Sequence, residues 1–464
     1  MKKHDLQPTD DNIRSTFYND SIGRNKDIVN FIKIIDSIDE SYSIALNSYW
    51  GSGKTFFVKQ VKMILDAVTE ESYTKVEGDA AVLSKWVQIS QNMQLKKHVP
   101  IYYDAWANDC DDDPIYSLVY QMILDTENNK GIKDKISLSD VLSVAGKITG
   151  AIAGFDPNDI ADAFKKGDFL ETLRERKDID KRIEEYIDKL LPNGCDRLLI
   201  IVDELDRCNP EFAVKLLERI KHYFNNDRVT FVFAVNLAEL QHTIKHHYGV
   251  NFNASRYLDR FFDLPIKLPA IDIDKFIESQ DVYAGIYDFD SSMKSVIKKY
   301  NLQLREILRY ITVSKYIVAN DAYFGSSQIR NARNVIIHVI IPIVSALIIT
   351  ENKQYLEFVN GNDSSPLLEF YKDKDNVKNV IHYLSLLLSD NPIVTLETLE
   401  NSLYEQDRLK NLLNDFYNAL FNKTEELKVG KCTIDNAERD YLKNVVSLLS
   451  DNTIKMIAKE EIGV

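Results

Sequence analysis

An apolar strand that runs straight into a glycine loop and then into a helix leaves a chain few folds to choose from. Ser43-Ile-Ala-Leu-Asn47 has the character of a short buried strand, and Ser48-Tyr-Trp-Gly-Ser-Gly-Lys-Thr55 follows at once. Residues 56–65 then place Val58, Val61, Ile64 and Leu65 on one helical face. Glycines at 51 and 53 let the backbone curl so that successive N–H groups point at one anion. Lys54 supplies a point charge for the outer phosphates, the Thr55 hydroxyl is a Mg²⁺ ligand, and the helix N-terminus adds its dipole. The candidate nucleotide-binding residues are therefore Ser48, Trp50, Gly51, Ser52, Gly53, Lys54, Thr55 and Phe56. Lys54 is expected to face solvent in the empty loop. Ser48 stands where the common pattern GxxxxGK[ST] has its first glycine.

The partner for such a loop is an acid at the end of a second buried strand. Leu198–Val202 is an unbroken apolar run, as in strands covered on both faces, and it ends in Asp203-Glu204. Asp203 is expected to share the metal with Thr55, closing a strand that neighbours the loop strand. Glu204 is placed to polarise the attacking water. A third run, Val229–Val235, ends in Asn236. That residue has two readings: it touches the γ-phosphate, since ligands gather at the carboxyl ends of parallel strands, or it only caps the next helix. The acids Asp109, Asp111, Asp112 and Asp113 lack the spacing of a calcium loop and read as a solvated turn with one helix cap.

Strands and helices alternate from the loop onward. A strand at 99–103, helices opened by Asp113-Pro114 and Asn209-Pro210, and an amphipathic stretch at 171–191 give a doubly wound α/β domain. The stretch 69–94 reads as a polar, acidic connection. We place the α/β core at 1–270, with an insertion of open structure at about 126–167. Beyond it, 281–300, 302–318, 329–349, 376–388 and 396–421 show helical periodicity and no convincing strand. A helical lid over 271–350 and a C-terminal helical region over 351–464 are expected.

Composition narrows the setting. The 464 residues are 45% hydrophobic and 28% charged, as in a globular protein, and the net charge of −14 argues against broad coating by nucleic acid. Four cysteines (110, 195, 208 and 432) stand far apart, which fits a reducing cytoplasm, and no apolar run follows the N-terminal lysines. Residues 335–349 are almost wholly apolar but shorter than the roughly 20 a spanning helix needs. They read as a buried helix kinked near Pro342. In 136–155, Gly146, Gly150 and Gly154 recur at four-residue spacing, yet Asp140 and Lys147 interrupt them. Membrane contact is not expected there.

Three ordered motifs, Trp50-Gly-Ser-Gly-Lys-Thr55, Tyr103-Asp-Ala-Trp106 and Ile201-Val-Asp-Glu-Leu-Asp-Arg-Cys208, together resemble the KAP family of P-loop NTPases. The likeness covers about residues 15 to 320. It implies a P-loop NTPase fold, a doubly wound parallel sheet with an α-helical lid and a C-terminal helical domain, using ATP and Mg²⁺. By resemblance, Asp206 and Arg207 join the site neighbourhood, and Arg305, in Leu302-Gln-Leu-Arg-Glu-Ile307, matches a lid arginine that senses nucleotide. Ser21-Ile-Gly-Arg24 resembles a segment packed near the base, and 257–269 matches the strand that enters the lid. Two positions depart from the family: Asn236 and Glu204 stand where aspartate is usual. Many members also insert two membrane helices between the loop and the acidic strand, and this chain has none of that character there.

Three functions fit these residues. The first is an ATP-hydrolysing switch with Lys54, Glu204, Asn236 and Arg305 as its catalytic groups, acting on protein partners; bacterial relatives are linked to phage and plasmid exclusion. An assembly of identical copies would allow Arg256 or Arg260 to act across subunits. The second is a nucleotide-binding scaffold without turnover, and the third a small-molecule kinase.

Overall fold

The computed structural model describes residues 7–71, 80–111, 113–128, 184–191, 195–279, 287–321, 330–350, 354–385, 387, 403–421 and 426–448. They divide into two compact units, one running to Phe276 and the other beginning at Ile277.

Five strands organise the first unit: β1 (Tyr42–Asn47), β2 (His98–Asp104), β3 (Arg197–Asp203), β4 (Val229–Val235) and β5 (Leu264–Lys267). Their order across the sheet is β2-β3-β4-β1-β5, and every pairing is parallel. The pleat explains the unbroken apolar runs. On β3, Leu198, Ile200 and Val202 face one layer of helices, meeting Leu118, Met122, Phe212 and Leu216. Leu199 and Ile201 face the other layer, with Ile28, Ile32, Phe57 and Val61. Because all strands run the same way, their carboxyl ends share one edge, and the loop, Asp203 and Asn236 emerge there.

One expectation about this edge is corrected. The strand that ends in Asp203 does not adjoin the loop strand: β4 lies between β1 and β3, with Asn47 opposite Val235 and Asp203 opposite Ala234.

Local signals set the helix starts. Asn209 accepts from the N–H of Glu211 at 3.0 Å and opens the helix Pro210–Tyr223. Asp113 does the same for Ile115 at 2.9 Å before the helix Pro114–Asn128. The stretch at 69–94 is more ordered than expected: it contains the helix Ala80–Ser90, whose Val82 and Trp86, four residues apart, are buried. At Gly23 the backbone has φ +73°, and a Cβ there would fall 2.3 Å from the Cβ of Asp272.

The second unit is mostly helical, including Tyr287–Lys299, Leu304–Asp321, Lys374–Leu384, Leu403–Phe421 and Asn436–Leu448. It also holds an antiparallel hairpin, β6 (Leu427–Val429) and β7 (Cys432–Ile434), which corrects the expectation of no strands beyond 271. Among the described residues one helix, Asn331–Ile349, is long and apolar enough to cross a membrane, and 89% of its 18-residue apolar window is buried within the protein. Pro342 opens its last part, Ile341–Ile349, directly after a π-helical turn at Ile336–Ile340. The wider turn accommodates the ring and the missing N–H that a regular helix would not.

Most of the expected insertion, with Gly146, Gly150 and Gly154, lies outside the described residues, as do 171–183, 281–286, 329, 388 and 396–402. Residues 184–190 are helical and bury Tyr186, Ile187 and Leu190.

Candidate functional site

The loop after β1 has the backbone that phosphate binding requires. Gly51 and Gly53 adopt φ of 75° and 87°, and no other loop residue has positive φ. Ser48 therefore needs no glycine's freedom; its N–H donates to the carbonyl of Val235 at 3.2 Å, anchoring the loop to β4. Lys54 begins the helix Lys54–Glu71. Contrary to expectation it does not face solvent: it is 7% exposed, and its Nζ donates to the carbonyls of Ser48 (2.8 Å) and Tyr49 (3.2 Å). Burial lowers its pKa, opposed by the charges of Asp206, Glu204 and Asp203. Ser52 is buried with its hydroxyl unpartnered, and the Phe56 side chain is buried as well.

Asp203 meets this loop. Its carboxylate accepts hydrogen bonds from the Thr55 hydroxyl, from Tyr102 Oη at 3.0 Å and from the N–H of Glu204 at 2.9 Å. It is fully buried, and that burial raises its pKa in spite of the three donors. A buried carboxylate beside a threonine hydroxyl and a bank of further acids is the donor set a hard divalent cation takes. The oxygen donors present there fit Mg²⁺ in kind.

Glu204 follows in a left-handed conformation, φ 60° and ψ 21°. Its carboxylate pairs with Arg207 Nε at 2.7 Å. Burial, then the nearby Asp203 charge, pushes its pKa up to about 7, while Arg207 draws it down. Asp206 accepts from the indole N–H of Trp50 at 2.5 Å, and its second oxygen is buried without a partner. Arg207 lies over the rings of both Trp50 and Trp106, at 5.8 and 5.4 Å.

Asn236 is buried at the end of β4 and caps the helix Leu237–Tyr248, its side-chain oxygen accepting from the N–H of Ala238 at 3.2 Å. The capping reading thus describes its oxygen. Arg256 and Arg260 are both exposed on the first unit. Arg305 lies on the helix Leu304–Asp321 of the second unit, so it is not among the residues that the first unit brings together.

Two residues outside the candidate set support the loop and Asp203, one of them in the Ser21–Arg24 segment. Arg24 donates from Nη1 to the carbonyl of Ser52 at 2.9 Å and from Nη2 to that of Pro269 at 2.5 Å, bracing the loop from behind. Burial lowers its pKa to about 10. Tyr102 sits in β2 one residue before the aromatic motif and holds Asp203.

A model of the KAP family P-loop domain matches residues 24–317, well over half of the chain. The chain belongs to the KAP family. Its first unit has the P-loop NTPase fold, and this KAP-family chain carries the nucleotide-binding loop that defines the class. No curated protein matches the sequence. Among solved structures, the ORC2 protein of Aeropyrum pernix, in its ADPNP–ADP complexes, is similar over 87% of this chain and 94% of its own. The identity is 12% and the TM-score 0.32.

Proposed function

We propose that this KAP-family chain is a Mg²⁺-dependent ATPase that works as a switch on partner proteins. The observation that carries the reading is the Thr55 hydroxyl seated on the buried Asp203 carboxylate, with Glu204 next in the chain. The loop N–H groups and Lys54 would grip the β- and γ-phosphates. For that, Lys54 exchanges its two loop carbonyls for phosphate oxygens. Thr55 and Asp203 would hold Mg²⁺, which neutralises charge on the transferring phosphoryl group. Glu204 orients the attacking water and draws on its proton. Asn236, whose oxygen caps its helix, would reach the γ-phosphate or orient its water from the edge between the loop and Asp203. Arg305 as nucleotide sensor, Arg256 or Arg260 acting across identical copies, the lid over 271–350 and a task in phage or plasmid exclusion rest on family resemblance.

The test is Mg²⁺–ATP turnover at rising protein concentration, for wild type and Lys54→Ala. Turnover in wild type and its loss in the variant, with the fold retained by circular dichroism, supports the reading; full turnover in Lys54→Ala defeats it. A scaffold without turnover is the second reading, favoured by one observation. Lys54 and Glu204 are both tied to groups of the protein itself, the former to loop carbonyls and the latter to Arg207. Nucleotide retained by a wild type that does not hydrolyse it would select the scaffold.

A further inference from the structure

Two half-exposed tryptophans on separate segments meet one arginine beside the candidate catalytic acid. Trp50 belongs to the phosphate loop and Trp106 to the turn after β2; they are 45% and 51% exposed, unlike Trp86, which is buried in the core. Neither contributes much to packing at that exposure. Both present a ring to Arg207, whose guanidinium carbon lies 5.8 Å from one ring and 5.4 Å from the other. Trp50 is held in orientation by its N–H on Asp206, a 4% exposed residue adjacent to Arg207 in the chain. Arg207 in turn reaches back along a single 3-10 turn, Leu205–Arg207, to hold the Glu204 carboxylate through Nε at 2.7 Å. Glu204 occupies a left-handed backbone position that side-chain-bearing residues rarely keep without an outside constraint. A planar guanidinium suits this place because its face binds aromatic rings while its edge donates to a carboxylate; an ammonium has no such face.

We propose that Arg207 is a positioning residue for Glu204, and that Trp50 and Trp106 form an aromatic clamp that sets the aim of that arginine. The clamp joins the phosphate loop, the β2 end and the β3 end through side chains, so a change of the loop on nucleotide binding passes to the acid through Trp50. The proposal rests on the hydrolytic reading above, and deepens it.

The test is a double-mutant cycle on turnover: wild type, Arg207→Ala, Trp106→Ala and the double variant, with nucleotide affinity followed separately. Each single variant is expected to lower kcat by about tenfold to a hundredfold, the range for partners that orient a reacting group, with KM close to wild type. The double variant should fall no further than Arg207→Ala alone, because the tryptophan acts through the arginine. Trp106→Phe, which keeps a ring face, should recover more than Trp106→Ala, and Arg207→Lys more than Arg207→Ala. A second arm reads the clamp without turnover. In a Trp50→Phe background, with excitation selective for indole, only Trp86 and Trp106 emit, and removal of Arg207 should raise acrylamide quenching of the exposed indole. Unchanged quenching, losses that multiply in the double variant, or wild-type kcat in Arg207→Ala would each overturn the proposal and leave the hydrolytic reading standing. A wild type without turnover overturns both.

Discussion

The two units bury polar groups to different ends. In the helical unit three of the buried polar side chains serve backbone near the ends of helices, while His338 lies mid-helix and stacks on Tyr383. Asn376 donates to the carbonyl of Phe370 at 2.9 Å, Arg439 donates from Nε to that of Ala419 at 2.9 Å, and Glu438 accepts from the N–H of Asp435. In the sheet unit the buried charges Lys54, Asp203 and Asp206 gather at one edge, from stretches of chain far apart in sequence. The apolar core of that unit is built from other residues, those along the strands and the helices that cover them. Polar groups that close turns are explained by folding, whereas charges brought together at a cost are explained by what they bind.

That contrast can be broken most forcefully at Asp203. Asp203→Asn is expected to lower turnover by on the order of 10³-fold, the scale on which a transition-state stabiliser acts. Its melting temperature should hold or rise, because a buried charge is removed. Turnover and calorimetry on one preparation decide it; an unfolded variant would mean the acid is structural after all. Glu204→Gln should lower kcat by about 10²-fold with nucleotide retained, as measured by single-turnover kinetics.

The same variant tests the electrostatics in the nucleotide-free protein. The Glu204 carboxyl titrates near 7 when folded against an ordinary value of 4.5, so the folded state favours its protonated form. The resulting stability is full below 4.5 and lost as pH rises through about 7. Relative to wild type, Glu204→Gln should therefore gain on the order of 2 kcal/mol between pH 5 and pH 8. A melting-temperature difference that stays constant over this range would count against it. Gly23→Ala should destabilise by roughly 2 kcal/mol, through its left-handed backbone and the approach of Asp272. Asn376→Ala is the smallest expected effect, about 1 kcal/mol of stability with turnover per folded molecule unchanged. A loss of specific activity there would erase the distinction between the units.

Much of the first unit was legible because its strands are covered on both faces: the apolar runs before Ser48, Asp203 and Asn236 each became a strand of the sheet. The core of the candidate site was legible for a different reason, since Gly51, Gly53, Lys54 and Thr55 form one loop of a few consecutive residues. What failed depended on distance. Nothing in the chain says that Arg24 ends on Ser52, that Tyr102 reaches Asp203, or that Trp50 and Trp106 meet at Arg207, because these contacts join separate segments. The placement of β4 between β1 and β3 is likewise a matter of sheet order, which strand content alone does not decide. The helix Ala80–Ser90 was missed because it lies within a stretch whose overall polarity masked Val82 and Trp86. The hairpin strands β6 and β7 are three residues long, too short for a period of two to show. Lys54 was misjudged because its ammonium turns inward to the carbonyls of Ser48 and Tyr49, a curl of the loop that the residue order does not show.

The intervening strand β4 has a consequence for how the chain tolerates change. It works as a spacer of fixed width: two inter-strand steps, about 10 Å, separate the ends of β1 and β3. The span from the glycine loop to Asp203 is thus gauged by main-chain pairing, and side-chain length only makes up the remainder. Growth or trimming of peripheral segments leaves that gauge untouched, whereas a slip of a single residue in the register of β4 would misalign every partner at once.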